Sequence, residues 1–277
     1  MQNKKMKHHE YHLLNPSPWP LSISCSILIF MLGLTTTLHK WQFGKATLIV
    51  GLMLLATVLY FWWKDVIKEG TVDKAHTDPV RRGFKIGMAV LIISEIMFFV
   101  AFFWSFFRAW LDPVYVFADL SPIKRLAWPP EGIVAPDPWS IPFMNTLILL
   151  LSGTTINTSH HYLLKNEQKS MIKMLGITIL LGMLFVAVQG IEYYEAKFSL
   201  KEAGEHLIYS SNFYMMTGFH CVHVIVGIIF LIVCWFRAKR AHFTSQHHVC
   251  FEFAAWYWHF VDVVWILLFI FLYWLSI

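Results

Sequence analysis

Charge is what this chain has least of. Aspartate, glutamate, lysine and arginine together make up 14% of its 277 residues, against 57% hydrophobic ones, whereas a soluble domain carries about 25% charged residues. That shortage excludes an ordinary water-facing surface. Cysteine is sparse too: Cys25, Cys221, Cys234 and Cys250 are scattered without a CxxC pair, and they read as small apolar fillers, not as a disulfide framework or metal site. No glycine-rich loop follows a strand pattern, and no histidine–carboxylate spacing of a zinc protease or di-metal bundle occurs, so nucleotide and hydrolase readings have no support. The formal net charge of +5 is gathered between apolar runs, where membrane topology accounts for it; nucleic-acid binding is not expected.

What is present is apolar length. About seven stretches approach the ~20 residues that cross a bilayer: 19–38, 44–63, 84–110, 141–163, 171–194, 209–236 and 253–274. Lipid leaves no water for unpaired backbone groups, so the fold class is all-α integral membrane protein. Lys4, Lys5, Lys7, Lys64, Lys68, Lys74, Arg81, Arg82, Lys85, Lys165, Lys169, Lys173, Arg237, Lys239 and Arg240 fall in one set of segments. Lys40, Lys45, Arg108, Lys124, Arg125, Lys197 and Lys201 fall in the other. The larger basic set places the amino terminus inside and the carboxyl terminus opposite. The polar amino terminus precedes no small-residue cleavage signal, so the first span is expected to stay. The connection from Leu111 to Ser140, with Pro113, Pro122, Pro129, Pro130, Pro136 and Pro138, is expected to be an ordered, proline-stiffened loop. The charged segment Lys64 to Lys85 is expected to be a loop and a weak boundary within one membrane domain.

Glu95 is the most informative residue. It is the one charge between Lys85 and Arg108, and at ~1.5 Å rise per residue it lies ~16 Å into its helix, near the bilayer midplane. An acid there is a proton relay, an ion site, or a neutral carboxyl hydrogen-bonded between helices. The histidines divide similarly. His220 and His223 share a face of the sixth span, and His259 with Asp262 a face of the seventh; haem ligation and satisfied core positions are the two readings, and unequal depths favour the core. His160, His161, His247 and His248 read as rim residues. Trp62, Trp63, His76, Arg237 and His242, with Lys64, combine interface aromatics with donors suited to a lipid phosphate, against a plain aromatic belt. Gly83 and Gly87 form a small-xxx-small pair that would bring the third helix close to a neighbour.

Several longer motifs run from end to end: Asn15-Pro-Ser-Pro-Trp-Pro20, Trp62-Trp-Lys-Asp-Val-Ile67, Ser94-Glu-Ile-Met-Phe-Phe-Val-Ala-Phe-Phe-Trp104, Trp128-Pro-Pro-Glu-Gly-Ile133, Glu192-Tyr-Tyr-Glu-Ala196, Thr217-Gly-Phe-His-Cys-Val-His223, His242-Phe-Thr-Ser-Gln-His-His248 and Ala255-Trp-Tyr-Trp-His-Phe-Val-Asp-Val-Val-Trp265. With these the chain resembles subunit III of the aa3-type cytochrome c oxidases, within the haem-copper oxidase family. The resemblance implies one membrane domain over 1–277, with two amino-terminal helices (15–70) splayed from a five-helix bundle (80–277) and a cleft for phospholipid. It implies a non-redox subunit without catalytic residues or metal of its own. Haem a, haem a3 and copper would sit in partner subunits I and II, and cytochrome c would act on the complex. It matches Glu95 to the family's buried acid, and Trp62, Trp63, His76, Arg237 and His242 to lipid head-group positions. The implied role is to stabilise the catalytic subunit and sustain proton uptake during turnover, in a bacterial inner membrane or, alternatively, a mitochondrial one.

Two rivals stand beside it: a haem-bearing cytochrome using His220, His223 or His259, which a Soret band of the isolated chain would reveal, and a transporter built on Glu95, Asp262 and Glu192, which a Glu95-dependent proton flux in vesicles would reveal. The polar residues in the spans are too few to line a continuous aqueous pore.

Overall fold

The computed structural model describes residues 17–71, 76–111, 114–115, 124–125, 128–130, 133–198 and 206–275. The basic amino terminus with Lys4, Lys5 and Lys7, the sites of Lys74 and Lys201, and most of the proline loop lie outside the described residues. Among the described residues seven helices follow in order: α1 (Trp19–Leu38), α2 (Gly44–Thr71), α3 (Asp78–Leu111), α4 (Ile141–Leu164), α5 (Gln168–Glu195), α6 (His206–Lys239) and α7 (Val249–Leu268). A π-helical segment, Phe269–Trp274, continues α7. Between α3 and α4 a two-residue antiparallel ladder, β1 (Val114–Tyr115) with β2 (Lys124–Arg125), pairs Val114 with Arg125 and Tyr115 with Lys124.

The helices run past the apolar stretches that mark them. α2 continues through Lys64–Thr71 and α3 begins at Asp78, so most of the charged segment expected as a loop over 64–85 is helical. Backbone hydrogen bonds continue the helix into water, where its polar side chains are solvated and an apolar count stops too early. Among the described residues six helices are long and apolar enough to cross a membrane; this is a multi-pass membrane protein. α4 is not among the six, and the polar residues it carries, Asn145, Thr146, Ser152, Thr155 and Ser159, are all buried.

The chain divides into two compact units, Met1–Phe84 and Lys85–Ile277, with the boundary inside α3. In the first, α1 and α2 form a hairpin whose buried positions are Ser26, Gly33, Gly44 and Gly51. A Cβ on Gly51 would stand 2.5 Å from Phe30 Cα, one on Gly44 2.6 Å from Thr37 N, and one on Gly33 would strike Leu48 N. The two backbones therefore touch, as small residues permit in lipid. Trp19 Nε1 donates to Asp65 Oδ2 at 2.9 Å across the hairpin.

In the second unit, α4, α5, α6 and α7 enclose a core centred on two indoles. Trp258 lies between Gly182 of α5 and Gly227 of α6, whose added Cβ atoms would meet its ring at 2.6 and 2.9 Å, and its Nε1 donates to Ser152 Oγ of α4 at 2.9 Å. Trp265 donates to Thr146 Oγ1 at 3.0 Å and stands perpendicular to Phe185 at 4.8 Å. Polar side chains tie the helices further: Thr155 to Thr178 at 2.8 Å, Tyr193 to Thr217 at 2.7 Å and Trp235 Nε1 to the Ile172 carbonyl at 3.2 Å. The part of α3 in this unit joins through large aromatics, Phe99 against Phe260 and Phe107 against Phe271, and not through glycine. Among the described residues an added Cβ at Gly83 or Gly87 meets nothing within 4 Å, so neither marks a close approach there.

Candidate functional site

Glu95 has a partner that spacing along the sequence does not reveal. Its Oε2 lies 2.9 Å from His223 Nε2, joining α3 to α6 across 128 residues of chain. The imidazole is fixed from its other side, where Nδ1 stands 2.6 Å from the Phe219 carbonyl. A carbonyl only accepts, so Nδ1 carries a proton. The link to Glu95 therefore shares one further proton: a carboxylic acid donates to neutral imidazole, or imidazolium donates to a carboxylate. Both forms leave the pair without net charge, which removes most of the cost of an acid at this depth. Phe99 lies 5.0 Å, Phe98 6.0 Å and Phe260 6.2 Å from the His223 ring, an apolar sleeve in which a hydrogen bond is strengthened. The His223 side chain is 13% exposed and that of Glu95 32%, so on this chain the acid is the outward end of the pair.

The other polar candidates are held by different contacts. His220 is buried and its Nε2 donates to the Val261 carbonyl at 3.1 Å, tying α6 to α7. His259 Nε2 lies 2.9 Å from Asn157 Oδ1 and its Nδ1 3.3 Å from Asp262 Oδ2. Haem ligation through Nε2 of His220, His223 or His259 would first have to break one of these hydrogen bonds. Asp262 reaches α4 because Gly153 leaves room: an added Cβ there would lie 2.6 Å from Asp262 Oδ2. Glu192 accepts from Tyr273 of the π-helical segment at 2.7 Å, and both are buried. His160 and His248 stack edge to face at 5.4 Å, and His248 with Lys85 brackets Glu252, at 3.3 and 2.7 Å. That pair is an inter-helix network and not a plain rim. Among the described residues no group of three His, Cys, Asp or Glu is placed to hold a metal ion.

A family model described as cytochrome c oxidase subunit III matches residues 9–277. The chain belongs to the cytochrome c oxidase subunit III family. It is 51% identical over 269 residues to a probable cytochrome c oxidase subunit 3 of Rickettsia bellii, covering 96% of each chain. It is 45% identical to the cytochrome c oxidase subunit 3 of Arabidopsis thaliana over 266 residues, again 96% of each. The carp subunit, from Cyprinus carpio, is 45% identical over 267 residues, 96% of this chain and 97% of its own.

In this subunit III chain the five expected head-group residues divide between the units. Trp62 and Trp63 sit on α2, and the His76 ring packs at 5.1 Å against Phe84, within the first unit. Arg237 and His242 belong to the second, at the α6–α7 turn, where Ala241 takes φ 54° and His242 N donates to the Arg237 carbonyl at 3.1 Å. The Arg237 guanidinium lies 4.8 Å from the Phe243 ring centroid. Partial burial first, then the Arg237 and Arg240 cations, hold the His242 imidazole below its ordinary pKa. Also in the second unit, an apolar groove of about 350 Å³ between α3 and α7 is lined by residues including Ile96, Phe99, Trp256, His259 and Val263.

Depth was the signal that could have found the Glu95–His223 pair. Glu95 lies ten residues from Lys85, and His223 fourteen from Arg237, so both sit well inside the membrane from the same basic end.

Proposed function

We propose that this chain is a non-redox subunit of a proton-pumping cytochrome c oxidase, standing against subunits I and II in the inner membrane of a bacterium, amino terminus inside. Haem a, haem a3 and copper belong to those partners, and cytochrome c delivers electrons to the complex. The chain stabilises the catalytic subunit and keeps proton uptake supplied through repeated turnover. The single observation that carries this reading is the Glu95–His223 link: a family member that holds one shared proton between two helices, with the acid facing outward, is equipped to couple protonation to its neighbour's cycle. The aromatic and basic residues Trp62, Trp63, His76, Arg237 and His242 hold phospholipid head groups, and the apolar groove beside Ile96 accepts an acyl chain.

Glu95→Gln tests the reading within the assembled oxidase. The amide keeps the shape and a donor toward His223 Nε2 while removing the titratable proton. The variant complex is expected to assemble and begin turnover at the wild-type rate, then lose activity over successive turnovers, as a complex lacking the chain would. Unchanged pumping and turnover stability would reduce the pair to a packing contact and overturn the proposal. Arg237→Ala is expected to lower phospholipid retained by the purified complex; full retention would remove Arg237 from the lipid site.

A further inference from the structure

The four cysteines look inert in the sequence, yet two of them meet. Cys234 on α6 and Cys250 in the first turn of α7 place their sulfurs 3.9 Å apart, and the Cys234 thiol also lies 3.8 Å from the Cys250 carbonyl. Cys234 is fully buried, and Cys250 is partly exposed. The Arg237 cation acts on the Cys250 side chain, and cationic surroundings are those in which reactive cysteines are found. The remaining cysteines have no such arrangement: Cys25 is on the exposed surface of α1, and Cys221 lies elsewhere on α6.

We propose that Cys250 and Cys234 form a reversible dithiol–disulfide site, with Cys250 as the attacking thiol and Cys234 as the resolving one. The reagent class is a small-molecule disulfide of the oxidised-glutathione type. The Cys250 thiolate attacks one sulfur of that disulfide, forming a mixed disulfide and releasing one small thiol. Cys234 then loses its proton and attacks Cys250 Sγ, expelling the second small thiol. Two protein thiols are oxidised by two electrons in all, and the small disulfide is reduced to two thiols. The sulfurs must close from 3.9 Å to about 2 Å. Rotation of a cysteine between staggered χ1 wells moves its sulfur by about 3 Å, a displacement of the size the closure requires. The bond would close a ring over residues 234–250, tying the end of α6 to the start of α7 and drawing Cys250 away from Arg237. The inference is independent of the role given to Glu95.

The test uses the assembled oxidase in its membrane-derived particle. It is incubated with oxidised glutathione at a dose that fully oxidises a reference dithiol peptide, quenched in acid, alkylated under denaturing conditions and digested for mass spectrometry. The expected result is loss of both alkylated peptides and appearance of a Cys234–Cys250 linked peptide, reversed by dithiothreitol. In Cys234→Ser the expected product is a stable glutathione adduct on Cys250, and in Cys250→Ser an unmodified Cys234. Full alkylation of both cysteines in the wild type, or a glutathione adduct on Cys250 that persists with Cys234 present, would overturn the proposal.

Discussion

Between α1 and α2 the closest contacts are backbone against backbone, at Gly33, Gly44 and Gly51; among α4, α5, α6 and α7 they run through Trp258 and Trp265. Both regions are apolar in composition, and both lie where burying apolar surface against another helix gains nothing over burying it in lipid. Association there must come from dispersion at close range and from polar groups with no better partner. The hairpin uses the first means. Leu28, Leu52 and Met53 remain exposed, while Ser26 and the glycine notches are enclosed. The bundle uses the second as well: its interior holds Asn145, Ser152, Thr178, Gln189, Thr217 and His220 beside the rings. A polar side chain inside such a bundle is therefore more often a tie between helices than a functional group. The Glu95–His223 tie, like that of His259 with Asp262, joins two titratable groups.

The comparison breaks most readily at Trp258. Trp258→Ala removes an indole that fills two glycine notches and leaves a cavity, a loss of about 3–5 kcal/mol; denaturant titration of the purified complex, followed by hydrogen exchange in residues 179–188, is expected to show it. Should the bundle tolerate that change, the indole is not its centre. In the hairpin the corresponding change is Gly51→Ala, whose Cβ would meet Phe30 backbone atoms at 2.5 and 2.6 Å. Overpacking there is expected to cost about 1–3 kcal/mol, with faster exchange at residues 44–51 and none at 179–188. Faster exchange in both would mean that the two regions are not held independently.

Smaller changes sharpen the contrast between buried and exposed polar ties. Trp265→Phe keeps the ring packing and loses the bond to Thr146, an expected cost of about 0.6 kcal/mol, typical of hydrogen bonds between membrane helices. Trp19→Phe loses the exposed bond to Asp65 and is expected to change stability by less than about 0.5 kcal/mol. The smallest effect belongs to His242. Its folded pKa lies below the ordinary 6.5, so the folded state binds that proton less readily than the unfolded chain. Stability is complete above that value and declines as pH falls through it. Unfolding midpoints at about pH 7.5 and about pH 5.5 should differ more in wild type than in His242→Gln. A phosphate bound beside Arg237 would weaken or reverse that difference, so added phospholipid serves as the control.

Apolar run lengths placed the spans closely. The stretch 19–38 coincides with α1, and 141–163 stops one residue short of α4. They failed at the ends of α2 and α3, where the helices continue into charged sequence, because hydropathy measures the solvent of the side chain and not the hydrogen bonding of the backbone. Gly83 and Gly87 promised a close approach that Gly182, Gly227 and Gly153 supply instead: the small-xxx-small spacing shows that a notch exists, not what fills it. The meeting of Cys234 and Cys250 was not legible for a similar reason, since they share no motif and come together only because the α6–α7 turn returns the chain upon itself.

The sequence by itself determined that this chain crosses a membrane several times as helices, because lipid admits no unpaired backbone and each stretch has the length of a bilayer. Its motifs determined the family. Which polar groups meet was decided only by the tertiary structure. The rotation of each helix about its axis selects the residues that face inward, and that rotation follows from packing with helices far away in the chain. Glu95 and His223, 128 residues apart, are joined by that rotation and by nothing local.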